Sequence, residues 1–333
     1  MMTNQFKMDD LGVPKTVLGM NIHFDRDQRT ISLNQHSYID KLLHRFDEHG
    51  LRNHVFKPRP TPMEQGCKLS KKDESDEATT FPFRELVASL LYLSICTRPD
   101  IAYTVKELSR FLQRPGKKMI AVAVRCLHYV ATTKSFGLRY HHAIRPVAGA
   151  FFYCGAPVGS FSDASFADDI DKRRSTAGIL VLFNGTAIMW TSKTLKTIAL
   201  SSQDAELMAL SDCSREILFL QNLLDSVGYS VPKVTLHGDN VGSLFVAENP
   251  GDHHKTKHIE VRYFFVRQKV EEDKVILKYV PTTEQLADFL TKALPRESHQ
   301  RLTAAAMGHD AFPSSSEDLP STAPDKSSRI SAK

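Results

Sequence analysis

The chain has 333 residues, 41% of them hydrophobic and 24% charged, which is a globular composition with enough length for about two domains. Its five cysteines are scattered and odd in number, which argues against a disulfide framework and against a zinc site. No apolar run is long enough for a membrane span, and the first residues lack the apolar core of a signal peptide, so a cytoplasmic or nuclear protein with no membrane partner is expected. A net charge of +5 permits a nucleic-acid partner without demanding one.

Residues 16–24 and 29–33 read as two strands joined by the polar turn Asp25-Arg26-Asp27-Gln28. Ser37 is expected to cap a helix that buries Ile39, Leu42, Leu43 and Phe46. A proline-punctuated connector and a polar loop follow, to residue 80. Asp9-Asp10 looks like a polymerase metal pair but lacks a hydrophobic hairpin to hold it, and reads as solvated surface. Three helices are predicted over 85–95, 101–113 and 119–132, the second started by Pro99. Arg98, Arg110, Arg114, Lys117, Lys118 and Arg125 make this region basic, either as a solvated bundle surface or as a track for a nucleic-acid backbone.

A strand is predicted over 158–163, then a hairpin of 176–183 and 186–190 turning at Asn184-Gly185, then a short strand over 197–200. Ser201 or Ser202 caps a long helix with Leu207, Leu210, Ile217, Leu220 and Leu224 on one face. A strand over 234–239 leads into a helix over 242–248, which implies parallel pairing. A helix over 255–272, a strand over 275–280 and a last helix over 284–293 complete the pattern, and the serine- and proline-rich stretch from Pro313 reads as disordered.

Four acids stand out in this second half. Asp163 and Asp239 close strands, while Glu206 and Asp288 sit early in helices. Carboxylates so placed can meet at one sheet edge, and four of them are tolerable together only around cations. Oxygen ligands select magnesium or manganese, and two such ions are a known means of cutting a phosphodiester.

The same stretch resembles the ribonuclease H domain of copia-type retrotransposon Pol polyproteins. Seven pieces carry the likeness, in order: Ser162-Asp163-Ala164-Ser165, Arg174-Ser175-Thr176-Ala177-Gly178, Trp190-Thr191-Ser192-Lys193, Ala199 to Leu207, Asp239-Asn240, Lys255-Thr256-Lys257-His258-Ile259, and Thr283 to Asp288 with Thr291-Lys292. Upstream, Leu18-Gly19, Leu33-Asn34-Gln35, Thr61-Pro62, Ser89 to Leu93 and Thr97 to Ala102 resemble the end of the reverse transcriptase and its thumb. The resemblance implies an α/β fold with a ribonuclease H-like mixed five-stranded sheet over 151–296. A reverse-transcriptase palm remnant over 1–66 and a helical thumb or connection over 67–150 precede it, and an extension over 297–333 follows.

It further implies hydrolysis of the RNA strand of an RNA–DNA hybrid by Asp163, Glu206, Asp239 and Asp288 around two Mg2+ ions, with Mn2+ as an alternative. Asp163 would bridge both ions. Asn240, Lys255, Lys257, His258 and Lys292 are the candidate nucleic-acid contacts, and His258 the one candidate for assisting product release. The sequence departs from the family with Asp204 for a glutamate and Leu207 for a tyrosine, neither of which removes a metal ligand, and with Phe264 for a histidine, which lowers affinity if that histidine touches substrate. The expected partners are the hybrid and the remainder of the polyprotein, including the missing reverse-transcriptase portion and integrase. DNA synthesis is expected to be absent, because the family's palm aspartates lie upstream of this stretch. The alternatives are an inactive transposon-derived fragment and a module that holds hybrids without cutting them. The first 60 residues are expected to be less stable than the core, with Leu18, Ile22, Leu42 and Leu43 lacking packing partners.

Overall fold

The computed structural model describes residues 12–47, 57–75, 79–143, 157–249 and 260–313. Asp9-Asp10, Lys255, Lys257, His258 and the stretch beyond Pro313 lie outside them.

The chain opens with strands β1 (Thr16–Val17), β2 (Met20–Asp25) and β3 (Thr30–Asn34), paired antiparallel. In the β2–β3 turn the Asp25 carboxylate accepts the amides of Asp27 and Gln28, and Arg29 takes the left-handed conformation with φ of 50°. Helix α1 (His36–Asp47) starts one residue before Ser37. Ser37 is therefore inside the first turn and not the cap. Its hydroxyl accepts Asn21 Nδ2 at 3.3 Å, and the Asn34 side chain accepts the His36 amide instead.

Helices α2 (Phe83–Cys96), α3 (Ala102–Ser109) and α4 (Lys117–Thr132) form the helical region. The second predicted helix is shorter than expected: Pro99–Ile101 is a 3-10 turn, and the α-helix ends at Ser109. One hydrophobic core joins Ile39, Leu42 and Phe46 of α1 to Leu86, Leu90 and Leu93 of α2 and Val122, Cys126 and Tyr129 of α4. Leu42 and Leu43 thus have packing partners, contrary to expectation, while Leu18 is 80% exposed.

Four of the six basic residues of this region are held in ion pairs. Arg98 is fully buried, donating to Asp100 at 2.7 and 2.9 Å and to the Thr133 carbonyl at 3.0 Å, with Tyr129 closing the network on Asp100 at 2.6 Å. Arg110 pairs with Glu107 and Asp169, Lys118 with Asp73, and Arg125 with Glu64.

Strand β4 (Leu138–His141) returns to pair antiparallel with β3, completing a four-stranded sheet in the order β1-β2-β3-β4. Gly137 permits that return, since a Cβ there would lie 2.1 Å from the Leu33 carbonyl oxygen.

A second sheet follows. Strands β5 (Val158–Ser165), β6 (Thr176–Phe183) and β7 (Thr186–Thr194) form the antiparallel meander, with Asn184 and Gly185 both at positive φ in the tight hairpin turn. Helix α5 (Ser202–Ser226) is capped reciprocally: Ser201 Oγ accepts the Asp204 amide, and the Asp204 carboxylate accepts the Leu200 amide. Residues 197–200 are therefore the approach to this cap and not a strand; β7 itself runs four residues further than predicted, to Thr194 instead of Trp190.

Strand β8 (Val234–Gly238), helices α6 (Val241–Glu248) and α7 (Glu260–Glu271), and strand β9 (Val275–Tyr279) complete the sheet. Its order is β7-β6-β5-β8-β9, with β8 and β9 parallel to β5. This is the mixed five-stranded sheet that the sequence leads one to expect.

Each face of the sheet carries its own core. On one, Val158, Ile179, Val181 and Leu236 pack against Leu207, Leu210, Ile217 and Leu220 of α5 and Val266 of α7. On the other, Phe161, Leu180 and Leu182 pack against Leu286, Phe289 and Leu290. That last segment is not the predicted helix. Two 3-10 turns, Thr282–Glu284 and Leu286–Leu290, replace it. Helix α8 (Arg296–Ala306) follows, in what was expected only as an extension, and seals this face with Leu302, Ala305 and Ala306. Among the described residues no helix is long and apolar enough to cross a membrane.

Candidate active site

The four acids come from four elements. Asp163 lies in β5, where it pairs across the ladder with Gly178 of β6. Glu206 is in the second turn of α5, Asp239 directly follows β8, and Asp288 sits in the 3-10 turn Leu286–Leu290. Parallel pairing of β8 with β5 brings Asp239 to the same sheet end as Asp163.

Carboxylate oxygens of Asp163, Glu206 and Asp239 lie within 4.8 Å of one another. Asp288 lies beside Asp163: the charge of Asp163 acts on its carboxyl, and Thr291, whose hydroxyl donates to Asp163, lies 3.0 Å from the Asp288 carbonyl oxygen. Asp163, Glu206 and Asp288 are buried and Asp239 is half-buried.

Gly178 makes this convergence possible. A Cβ at that position would meet Thr291 Cγ2 at 2.7 Å and the Ala287 carbonyl oxygen at 2.9 Å. The bare glycine opposite Asp163 lets the turn carrying Asp288 lie down on the sheet. Gln285, fully buried, fastens that turn: its Nε2 donates to the Ser162 carbonyl at 2.9 Å and its Oε1 accepts the Ala287 amide at 3.2 Å.

Neighbouring groups fix each carboxylate. Thr291 donates its hydroxyl to Asp163, Thr282 donates to Asp239 at 2.8 Å, and the Ala164 amide donates to Glu206 at 3.2 Å. Lys292 Nζ stands 2.8 Å from Asp288 Oδ1.

The electrostatics are those of crowded acids, with Lys292 as the nearby positive charge. Burial, then the charges of Asp163 and Asp239, hold the Glu206 carboxyl well above the usual carboxylate range. Burial and Asp163 raise Asp239 as well. Asp288 is pushed up to about 7 by burial and Asp163, with Lys292 acting in the opposite direction. An oxygen-only donor set in which carboxylates destabilise one another fits a hard divalent cation.

Not every candidate falls into this cluster. Asn240 caps α6, its Oδ1 accepting the Ser243 amide at 2.9 Å, so part of its polar capacity is committed to structure. Lys292 turns toward Asp288, where a phosphate contact was expected. Phe264 is exposed on α7. Sequence reasoning gave no role to Thr291, Thr282 or Gln285. Thr291 and Gln285 each lie three residues from Asp288, a spacing that could have flagged them; Thr282 gave no local signal. His237, two residues before Asp239, is a core residue: its ring stacks on Phe161 at 4.6 Å, and burial lowers its pKa to about 4.

No protein-family model matches the chain. Over 305 residues, 90% of its length, it is 34% identical to the retrovirus-related Pol polyprotein from transposon TNT 1-94 of Nicotiana tabacum. The chain belongs to the copia-type transposon Pol polyproteins. It spans 22% of that Pol polyprotein's length. It is also 37% identical over 139 residues to secreted RxLR effector protein 161 of Plasmopara viticola, a likeness that covers 42% of this Pol segment and 91% of the effector. Among solved structures it aligns with LC11-RNase H1, isolated from compost, at 16% identity and a TM-score of 0.32, over 40% of this chain and 91% of that one. A score that low adds nothing to the sheet topology already described.

Proposed function

We propose that this Pol segment is a ribonuclease H that hydrolyses the RNA strand of an RNA–DNA hybrid, with Asp163, Glu206, Asp239 and Asp288 holding two divalent ions, Mg2+ or Mn2+. The observation that carries the reading is the meeting of carboxylates from β5, α5 and the end of β8 within 4.8 Å, with the Asp288 carboxyl close enough to feel the charge of Asp163. Divalent ions held there would supply Lewis acidity and a water of lowered pKa for attack on phosphorus.

The chain's own residues prepare the site. Thr291 and Thr282 orient the Asp163 and Asp239 carboxylates, and the Ala164 amide holds one oxygen of Glu206. Burial of three of the four acids keeps bulk water away and strengthens their hold on positive charge. The reading includes no covalent intermediate and so needs no nucleophilic serine or cysteine. It includes no DNA synthesis by this segment. The partners in this reading are the hybrid and the rest of the polyprotein, in the cytoplasm or nucleus.

The test is cleavage of a labelled RNA–DNA hybrid with and without Mg2+, comparing the wild-type chain with Asp239→Asn. The expected result is metal-dependent cutting of the RNA strand by the wild type alone. Equal cutting by both proteins would reveal a contaminant, and binding without cutting by either would favour the hybrid-holding alternative.

A further inference from the structure

Lys292 has a placement that phosphate binding does not explain. Its ammonium faces the carboxylates at 2.8 Å from Asp288 Oδ1. Its charge acts on Asp163, Asp239 and Asp288, and on Glu206 as well, so one cation is felt across the whole cluster. The backbone leading into it is fixed: the Thr291 and Lys292 amides both donate to the Asp288 carbonyl, at 3.1 and 3.2 Å. The side chain is not, since it remains 39% exposed. The ammonium can therefore leave the cluster for water without moving the turn.

We propose that Lys292 is the built-in counter-ion of the carboxylate cluster, offsetting part of its charge when no divalent ion is bound and competing with divalent ions for Asp288. This rests on the reading of the four acids as a metal site and deepens it by naming the residue that sets metal affinity. The physical reason is simple. Like charges gathered in a partly buried site need positive charge nearby, and an ammonium on a flexible stem supplies it reversibly. A divalent ion entering beside Asp288 meets a like-charged group already there, and must displace it. A role confined to phosphate contact would leave metal binding in the absence of hybrid unchanged.

The experiment is calorimetric titration of Mn2+ and of Mg2+ into the full chain, free of nucleic acid, for the wild type, Lys292→Gln and Lys292→Arg. Removing the charge is expected to tighten binding roughly five- to ten-fold, the scale of one nearby unit charge in a partly solvated site. Lys292→Arg, which keeps the charge, is expected to stay within about two-fold of the wild type on the same grounds. Unchanged or weaker binding by Lys292→Gln would overturn the proposal. Should that variant fail to fold, a wild-type crystal soaked in Mn2+ decides: Nζ is expected to have left Asp288, and its retention there with ions bound would overturn the proposal. A wild type that binds no divalent ion would sink the metal-site reading itself, an outcome distinct from wild-type binding that Lys292→Gln does not alter.

Discussion

Asp288 and Glu206 have carboxyls raised by burial and by neighbouring acids, Asp288 to about 7. An acid whose pKa is higher in the folded chain than in the unfolded one binds extra protons when folded. Its contribution is therefore present at low pH and lost as pH rises through the folded value. His237 and His299, both lowered to about 4 by burial, act oppositely: neutral when folded, they add stability as pH rises from about 4 to 6.5. The two effects separate in a difference measurement. In EDTA, Asp288→Asn should gain stability relative to the wild type between pH 5 and pH 8, read as a growing difference in melting temperature, and Mg2+ should shrink that difference. A difference independent of pH would mean that Asp288 does not feel the cluster. Thr291 offers a second test at this scale. Thr291→Val removes the hydroxyl that orients Asp163, and should cut hybrid cleavage by roughly 10- to 100-fold, as loss of a group that orients a ligand typically does.

At the scale of elements, the sequence was most readable where the local signal was unambiguous. Asn184-Gly185 between two β-rich runs gave the β6–β7 hairpin, and the spaced leucines of 207–224 gave α5. It was least readable where tertiary packing overrode local pattern. Leu286, Ala287, Phe289 and Leu290 look like a helix in sequence, yet all four are buried, so there is no solvent face to sustain an amphipathic α-helix. Gln285 spends its side chain on β5 and on the Ala287 amide, and the segment winds as 3-10 turns. Helix α8 went unseen because Pro295 and the polar run 296–301 hide the apolar Leu302 to Met307 behind them. The acids themselves were legible as strand-end and early-helix positions, although β5 runs two residues past Asp163, where the strand was expected to close, and Asp288 lies in a 3-10 turn; Gly178, which lets their elements meet, was legible only as part of a motif. Gly178→Ala is therefore expected to destabilise the chain by about 1–3 kcal/mol, as overpacking does, and to lower cleavage by displacing Asp288. Urea denaturation and the hybrid assay would register both effects; a neutral result would mean that the turn does not rest on β6.

Across the whole molecule, the upstream segment is joined to the second sheet by packing and by charge. β4 follows the helices yet pairs with β3, and its Leu138 shares a core with Leu180, Leu182 and α8. Arg110, just after α3, reaches Asp169 in the loop between β5 and β6 at 2.6 Å, and Lys106 of α3 reaches Thr176 at the start of β6 at 2.6 Å. The buried Arg98–Asp100–Tyr129 group touches His299 of α8. Arg98→Ala would leave Asp100 buried without its cation, and should cost about 3–5 kcal/mol in urea denaturation. Because Ile39, Leu42 and Phe46 share a core with α2 and α4, amide exchange in α1 should be as slow as in α4. Fast exchange confined to α1 would restore the expectation that the first 60 residues are the weaker part.

Hybrid cleavage by this segment requires the four acids to act together on divalent ions. The measurement that bears on it most directly is anomalous diffraction from crystals of the chain soaked in Mn2+. Two manganese peaks flanked by Asp163, Glu206, Asp239 and Asp288, absent in Asp239→Asn, are the predicted result. Manganese bound elsewhere, or no peak among these carboxylates at saturating metal, would contradict it.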